Sequence, residues 1–365
     1  MKIGILTFHC AHNYGAVLQC YALQETLKSM GHEVEVIDYR PNFLTYSKFI
    51  NFQNIKNTSI STTLRKLIRE LAVLPKKNIR YFVFNRFINK RLNLSTHNKN
   101  YSYIPAEYDI YIIGSDQVWN KKITNGYHNP YFASFPFPKG NKKYISYAAS
   151  MESEDISKDT NILKKLLSNF DAISVREESL RQSLQELSQK RISLVLDPTL
   201  IADKTMWHKL AIKPRIKKKY VLVYEVRTNP HTIKFANNIA KQLNAEVVRL
   251  FAWVDRFNNK NEYKCESPEN FLGWFKHAEC IVTTSFHGTA FSIIFEKPFY
   301  TKELDNEGNS RSFSLLNKLG LDARIINLKV IHNTDFTNIN YDKIDYKLYE
   351  LKQESIKYLK NNIRH

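Results

Sequence analysis

The chain has 365 residues, 43% hydrophobic and 13% aromatic, with 54 Lys and Arg against 35 Asp and Glu for a formal net charge of +19. That length suits two domains with separate cores, the aromatic content excludes an intrinsically disordered chain, and 10 Gly with 4 Cys exclude collagen-like and disulfide-scaffold classes. No run of about 18 apolar residues occurs, and the opening apolar run is too short for a secretory signal, so the chain reads as soluble and cytoplasmic.

Residues 3–8 read as a strand, 9–13 as a polar turn, 14–30 as a helix stopped by Gly31, and 34–37 as the next strand. This is the opening of an α/β domain with a parallel sheet. Cys10, Cys20, Cys265 and Cys280 form no CxxC pair and are expected to be reduced, packed thiols. His9-Cys10-Ala11-His12 lacks zinc-ligand spacing and has no second cluster, so no metal is expected. Residues 41–100 then interrupt the pattern with twelve basic residues against one acid, Glu70, interleaved with aromatics at helical spacing around Pro75. They read as a basic helical insertion.

The α/β pattern resumes with strands at 110–113, 144–148, 172–175 and 194–196, the last closed by Asp197-Pro198. Residues 202–218 suit a domain boundary. A second series follows: strands at 220–226, 246–251, 280–284 and 298–300 alternate with helices at 231–243, 268–278, 288–295 and 312–319. A polar amphipathic helix closes the chain. The economical fold class is α/β: two Rossmann-like domains facing across a cleft, with the basic helical insertion in the first. The first domain spans 1–205 (insertion 41–100), the second 206–345, and the C-terminal helix 346–365.

Ligands of open parallel sheets bind beyond the carboxyl ends of the strands. In the second domain, Thr284-Ser285-Phe286-His287-Gly288 joins a buried strand directly to a helix. First-turn amides and the macrodipole there attract anions, Gly288 permits close approach, and His287 suits proton transfer or phosphate contact. A helix cap or a packed imidazole is the plainer alternative. In the first domain, Asn13-Tyr14-Gly15 opens a helix in the equivalent place without the GxGxxG fingerprint, so a dinucleotide is not expected. It offers amides and an Asn side chain to an anion or sugar, or merely a cap. Arg176 follows a buried strand, where a fixed guanidinium recognises carboxylate or phosphate. A surface ion pair with Glu177 or Glu178 is its alternative. Arg311 is a second candidate anion ligand, and Ser115 with Asp116 either bind sugar hydroxyls or shape a turn. The insertion carries no nucleic-acid-binding module; its bases and aromatics fit an anionic membrane surface or a lipid-pyrophosphate best, unless nucleotide bias alone supplies the charge.

The blocks KIGILTFHCAHNYGAVLQCYAL, DIYIIGSDQVWN, YISYAAS, AISVREES, LVLDPTL and TTSFHGTAFSIIFEKPF, in this order over about residues 1–320, resemble the polysaccharide pyruvyl transferase family. Where some members have Arg-Leu-His, this chain has Ser285-Phe286-His287, so an arginine contact to the donor is missing there and another base must replace it. The resemblance implies a GT-B-like pair of domains, with no metal and no cofactor beyond phosphoenolpyruvate as co-substrate. It implies transfer of the pyruvyl unit to two hydroxyls of a sugar in a cell-surface polysaccharide or its lipid-linked precursor. A cyclic ketal forms and phosphate is released. On that basis His287 is the expected catalytic residue; Arg176, Ser285, Gly288 and Arg311 face the donor; Asn13, Gly15, Ser115 and Asp116 face the acceptor. The insertion at 41–100 leaves contact with the inner membrane face open, and nucleic acid is not expected. Two rivals share the architecture: a GT-B glycosyltransferase using a nucleotide sugar, and a non-catalytic glycolipid-binding protein of envelope assembly.

Overall fold

The computed structural model describes residues 1–44, 60–95, 103–151, 156–226, 228–254, 261–302, 310–326 and 339–364. In the first domain β1 (Lys2–Leu6), α1 (Tyr14–Ser29), β2 (Glu33–Val36), the long α2 (Ile60–Arg91) and β3 (Ile110–Gly114) come first. A single turn α3 (Lys121–Thr124), β4 (Lys143–Tyr147), α4 (Thr160–Ser168), β5 (Ile173–Val175), α5 (Glu178–Gln185) and β6 (Ile192–Leu194) complete it. The strand order is β2-β1-β3-β4, all parallel, and the β5-β6 pair continues it through bridges from Ile145 to Ala172 and Ala149 to Val175. β3 is apolar along its length and wholly buried, as expected of a strand covered on both faces by helices.

Two short helices, α6 (Pro198–Ile201) and α7 (Lys204–Leu210), lead to the second domain. It contains β7 (Tyr220–Glu225), α8 (Pro230–Gln242), β8 (Glu246–Phe251), β9 (Glu262–Tyr263), α9 (Pro268–Lys276) and β10 (Cys280–Thr283). α10 (Phe286–Ile294), β11 (Phe299–Lys302), α11 (Ser310–Leu319) and β12 (Ile325–Ile326) follow, and the parallel sheet has order β12-β11-β10-β7-β8-β9. Two Rossmann-like sheets therefore stand as the sequence suggests. Each reverses its strand order once, between β1 and β3 and between β7 and β10.

The final helix α12 (Tyr341–Ile363) begins five residues before the expected one and serves both domains. The Tyr341 hydroxyl donates to the Lys297 carbonyl, while near its other end the Tyr358 hydroxyl donates to the Ser146 carbonyl and Ser355 Oγ accepts from the Leu196 amide. One hydrophobic cluster also runs through both domains, from Ile5 and Val17 to Leu222, Phe271 and Phe291. Helix α1 is the shared wall: Tyr14 stacks on Phe271 with ring centroids 4.3 Å apart, and its hydroxyl donates to the Glu266 carbonyl.

The insertion differs from its expected form in two ways. Of residues 41–100, 45–59 and 96–100 lie outside the described residues. Ile60–Arg91 form one continuous helix running through Pro75, in place of separate helices around it. Pro75 lies on the exposed side of α2, where water can take the bond that its missing N–H leaves open. Second, Arg80 is wholly buried, although composition alone would place it in solvent. Its guanidinium donates to the carbonyls of His12, Ala252 and Lys264, at 2.6–2.9 Å, and to the Tyr14 hydroxyl at 3.1 Å. It lies 4.5 Å from the Phe84 ring centroid and 4.8 Å from that of Tyr14. α2 is thus wedged between the domains by a charged side chain. Arg80→Met should leave three main-chain acceptors unpaired and lower stability by about 3 kcal/mol, read as a shift in the urea midpoint.

Candidate functional site

Three loops of the first domain meet where β3, β5 and β6 end. Ser115 and Asp116 follow β3, Arg176 and Glu177 follow β5, and Asp197 caps α6 three residues after β6. Asp197 is buried and organises the group. Its Oδ1 accepts from the Thr199 amide and hydroxyl; its Oδ2 accepts from Arg176 Nη1 at 2.6 Å and from Ser115 Oγ at 3.1 Å. The remaining Arg176 nitrogens are also committed: Nε donates to Glu177 Oε1 at 3.1 Å, and Nη2 reaches Asp116 Oδ1 at 3.5 Å. Ser150 Oγ donates to the same Glu177 oxygen, and Glu177 Oε2 is buried with no hydrogen-bond partner.

The second domain contributes the residues at the start of α10. Ser285 caps that helix by accepting from the Gly288 amide, leaving the amides of Phe286 and His287 without intrahelical acceptors. The Phe286 ring lies 4.7 Å from the Arg176 guanidinium, so the aromatic face packs on a cation from the other domain. His287 Nε2 points to Asp197 Oδ2 at 3.7 Å, too far for a hydrogen bond, and this buried nitrogen has no other partner. The opposite ring nitrogen faces Gly15: a Cβ built there would lie 2.0 Å from His287 Nδ1. Gly15 is therefore required by the imidazole of the other domain.

The charges separate clearly. Burial would raise the Asp197 carboxyl, but the His287 imidazole, the Arg176 guanidinium and the Thr199 amide outweigh it and hold it well below the usual carboxylate range. Burial wins at Glu177, which is raised despite the charges of Arg176 and Arg311.

The structure brings Arg176, Ser285, His287, Gly15, Ser115 and Asp116 to one interdomain seam. The pairing of Arg176 with Glu177 is buried, not at the surface, while Glu178 pairs with Arg181. Arg311, in the first turn of α11, stands close enough for its charge to act on Glu177. Two residues have protein partners of their own. The Asn13 carboxamide caps α1 by accepting from the Gly15 and Ala16 amides. A Cβ at Gly288 would strike the Thr283 side chain, so that glycine meets protein. Asp197 and Glu177 were not candidates from sequence. An Asp-Pro pair closing a strand was the visible sign of the first, and the second entered only as a surface ion-pair alternative for Arg176. Of the residues first suggestive of metal, His9 bonds to Asp38 and His12 stacks on Phe84, where burial and then the Arg80 charge lower its pKa to about 3. Among the described residues no cluster of His, Cys, Asp or Glu is placed to hold a metal ion.

The depressed Asp197 carboxyl adds stability that is present above the ordinary aspartate pKa of about 4 and is lost as pH falls below it. Asp197→Asn should cost about 3 kcal/mol at neutral pH by unpairing Arg176, and should weaken this acid-side dependence in denaturation curves taken from neutral to acid pH.

Among solved structures the chain is similar to the UDP-GlcNAc 2-epimerase of Neisseria meningitidis, with 8% identity, 99% of this chain and 94% of that chain covered, and a TM-score of 0.49. It is similar also to the UDP-GlcNAc 2-epimerase of Methanocaldococcus jannaschii (13%, 96% and 92%, 0.44) and to the glycosyltransferase SnogD of Streptomyces nogalater (9%, 98% and 95%, 0.40). These likenesses concern backbone shape alone. No curated protein matches the chain. The family model for polysaccharide pyruvyl transferase matches residues 13–306, which include the helix start at Asn13, the Arg176–Asp197 pair and His287. The chain belongs to the polysaccharide pyruvyl transferase family.

Proposed function

We propose that this protein transfers the pyruvyl unit of phosphoenolpyruvate to two hydroxyls of one sugar, in a polysaccharide or its lipid-linked precursor. The observation that carries the reading is the buried, unpartnered Nε2 of His287 beside a carboxylate that stays ionised. That nitrogen has no hydrogen-bond partner and stands 3.7 Å from Asp197 Oδ2, in the place a general acid would need. In this reading His287 protonates the methylene carbon of the donor, and the adjacent carbon becomes electrophilic. One sugar hydroxyl adds to that carbon and loses its proton. The bond to the phosphate oxygen then breaks, and the second hydroxyl closes the ring. Of the two hydroxyl protons, one balances the proton gained by the methyl group and the other leaves with phosphate.

Arg176 is a positioning residue in this scheme. Three carboxylates already take its nitrogens, so it fixes Asp197 and, through it, the electrostatics at His287. Arg311, in the first turn of α11, and the first-turn amides of α10 are the groups assigned to the donor's phosphate and carboxylate. Ser115 and Asp116 border the acceptor side, with contact through the lipid part of a precursor left to the insertion.

The test supplies phosphoenolpyruvate or nucleotide sugars together with lipid-linked glycans and measures phosphate and nucleoside diphosphate. Phosphate release that depends on both phosphoenolpyruvate and glycan is expected; nucleoside diphosphate instead would mark a glycosyltransferase. His287→Gln should lower phosphate release about a hundredfold or more, and undiminished release would remove His287 from the chemistry. Gly15→Ala should displace the imidazole and lower the rate by about a hundredfold while the far-ultraviolet circular dichroism stays unchanged.

A further inference from the structure

Helix α2 has two apolar faces, and only one is used by the fold. Val73, Phe84 and Phe87 face inward with Arg80 and are buried. On the opposite side lie Leu64, Ile68, Leu71, Pro75, Ile79 and Phe82, spaced by three or four residues. At 100° per residue they fall within about 80° of one another, along about 27 Å of helix. The five large side chains are 49–67% exposed, and among the described residues nothing covers them. Scattered exposed apolar residues are ordinary, but a continuous stripe on one helix implies a partner.

The charge pattern decides which partner. α2 contains nine Lys and Arg and a single acid, Glu70. Arg65, Arg86 and Lys90 are exposed beside or at the end of the stripe. A symmetric dimer through this face would bring two strongly positive helices together, whereas an anionic bilayer supplies both an apolar interior and negative headgroups. We infer that α2 lies in the plane of an anionic membrane surface with its outward stripe sunk among the acyl chains and its bases at the headgroups. No helix among the described residues is long and apolar enough to cross a membrane, so this is attachment to one face. The inference is independent of the donor chemistry above. Neither needs the other to hold.

The full chain is sedimented with vesicles of phosphatidylcholine alone, or with about a third of phosphatidylglycerol. Binding to the anionic vesicles should be about a hundredfold stronger and should weaken with salt. Leu71→Ser, Ile79→Ser and Phe82→Ser combined should lower it about tenfold or more without moving the thermal midpoint, because these side chains are exposed. Should that variant misfold, Arg65→Gln, Arg86→Gln and Lys90→Gln combined should remove the anionic preference alone. Three results overturn the inference: no binding, equal binding to both vesicles, or binding that survives both variants. A dimer that the serine variant dissociates, with no vesicle binding by the parent chain, overturns it as well.

Discussion

The ion pair between Asp197 and Arg176 is the constraint on which the seam is built. A single carboxylate oxygen accepts from a guanidinium and a serine hydroxyl of its own domain and faces an imidazole of the other. Such a pair out of water needs its own polar atoms satisfied, and here Ser115, Thr199, Glu177 and Asp116 supply partners to Asp197 and Arg176. The arrangement cannot be relaxed locally, because Ser115 and Asp116 follow β3, Arg176 and Glu177 follow β5, and Asp197 and Thr199 come after β6. The parallel sheet brings those strand ends together, and the fold thereby fixes the electrostatics.

The contact across the seam is equally demanding. His287 requires glycine at position 15 and places its free nitrogen toward Asp197, so the helix starts of the two domains are locked in register. Phe286 adds a second crossing contact on Arg176. Some family members carry an arginine in this motif; here an aromatic ring lies against an arginine from elsewhere in the chain.

Much of this was legible in the sequence for a local reason. Strands such as residues 110–114 are apolar on both faces, so short apolar runs followed by polar turns mark strand ends without any tertiary knowledge. The turn from strand to helix at 284–288 was visible in the same way. The partners were not. Asp197 lies 21 positions from Arg176 and 90 from His287, and no periodicity reports contacts at those separations. Arg80 was harder still, because eleven other bases in its stretch suggested solvent and only long-range packing makes it a core residue. Pro75 misled in the other direction: as a helix breaker it implied two helices, yet at an exposed position the lost bond does not stop one.

The manner in which Arg80 is held has an evolutionary corollary. Three of its four acceptors are main-chain carbonyls, at His12, Ala252 and Lys264, and only Tyr14 contributes through a side chain. A peptide oxygen survives any amino-acid exchange that preserves the path of the chain. Drift at those three positions therefore leaves the latch intact, and mutational intolerance concentrates on the arginine alone.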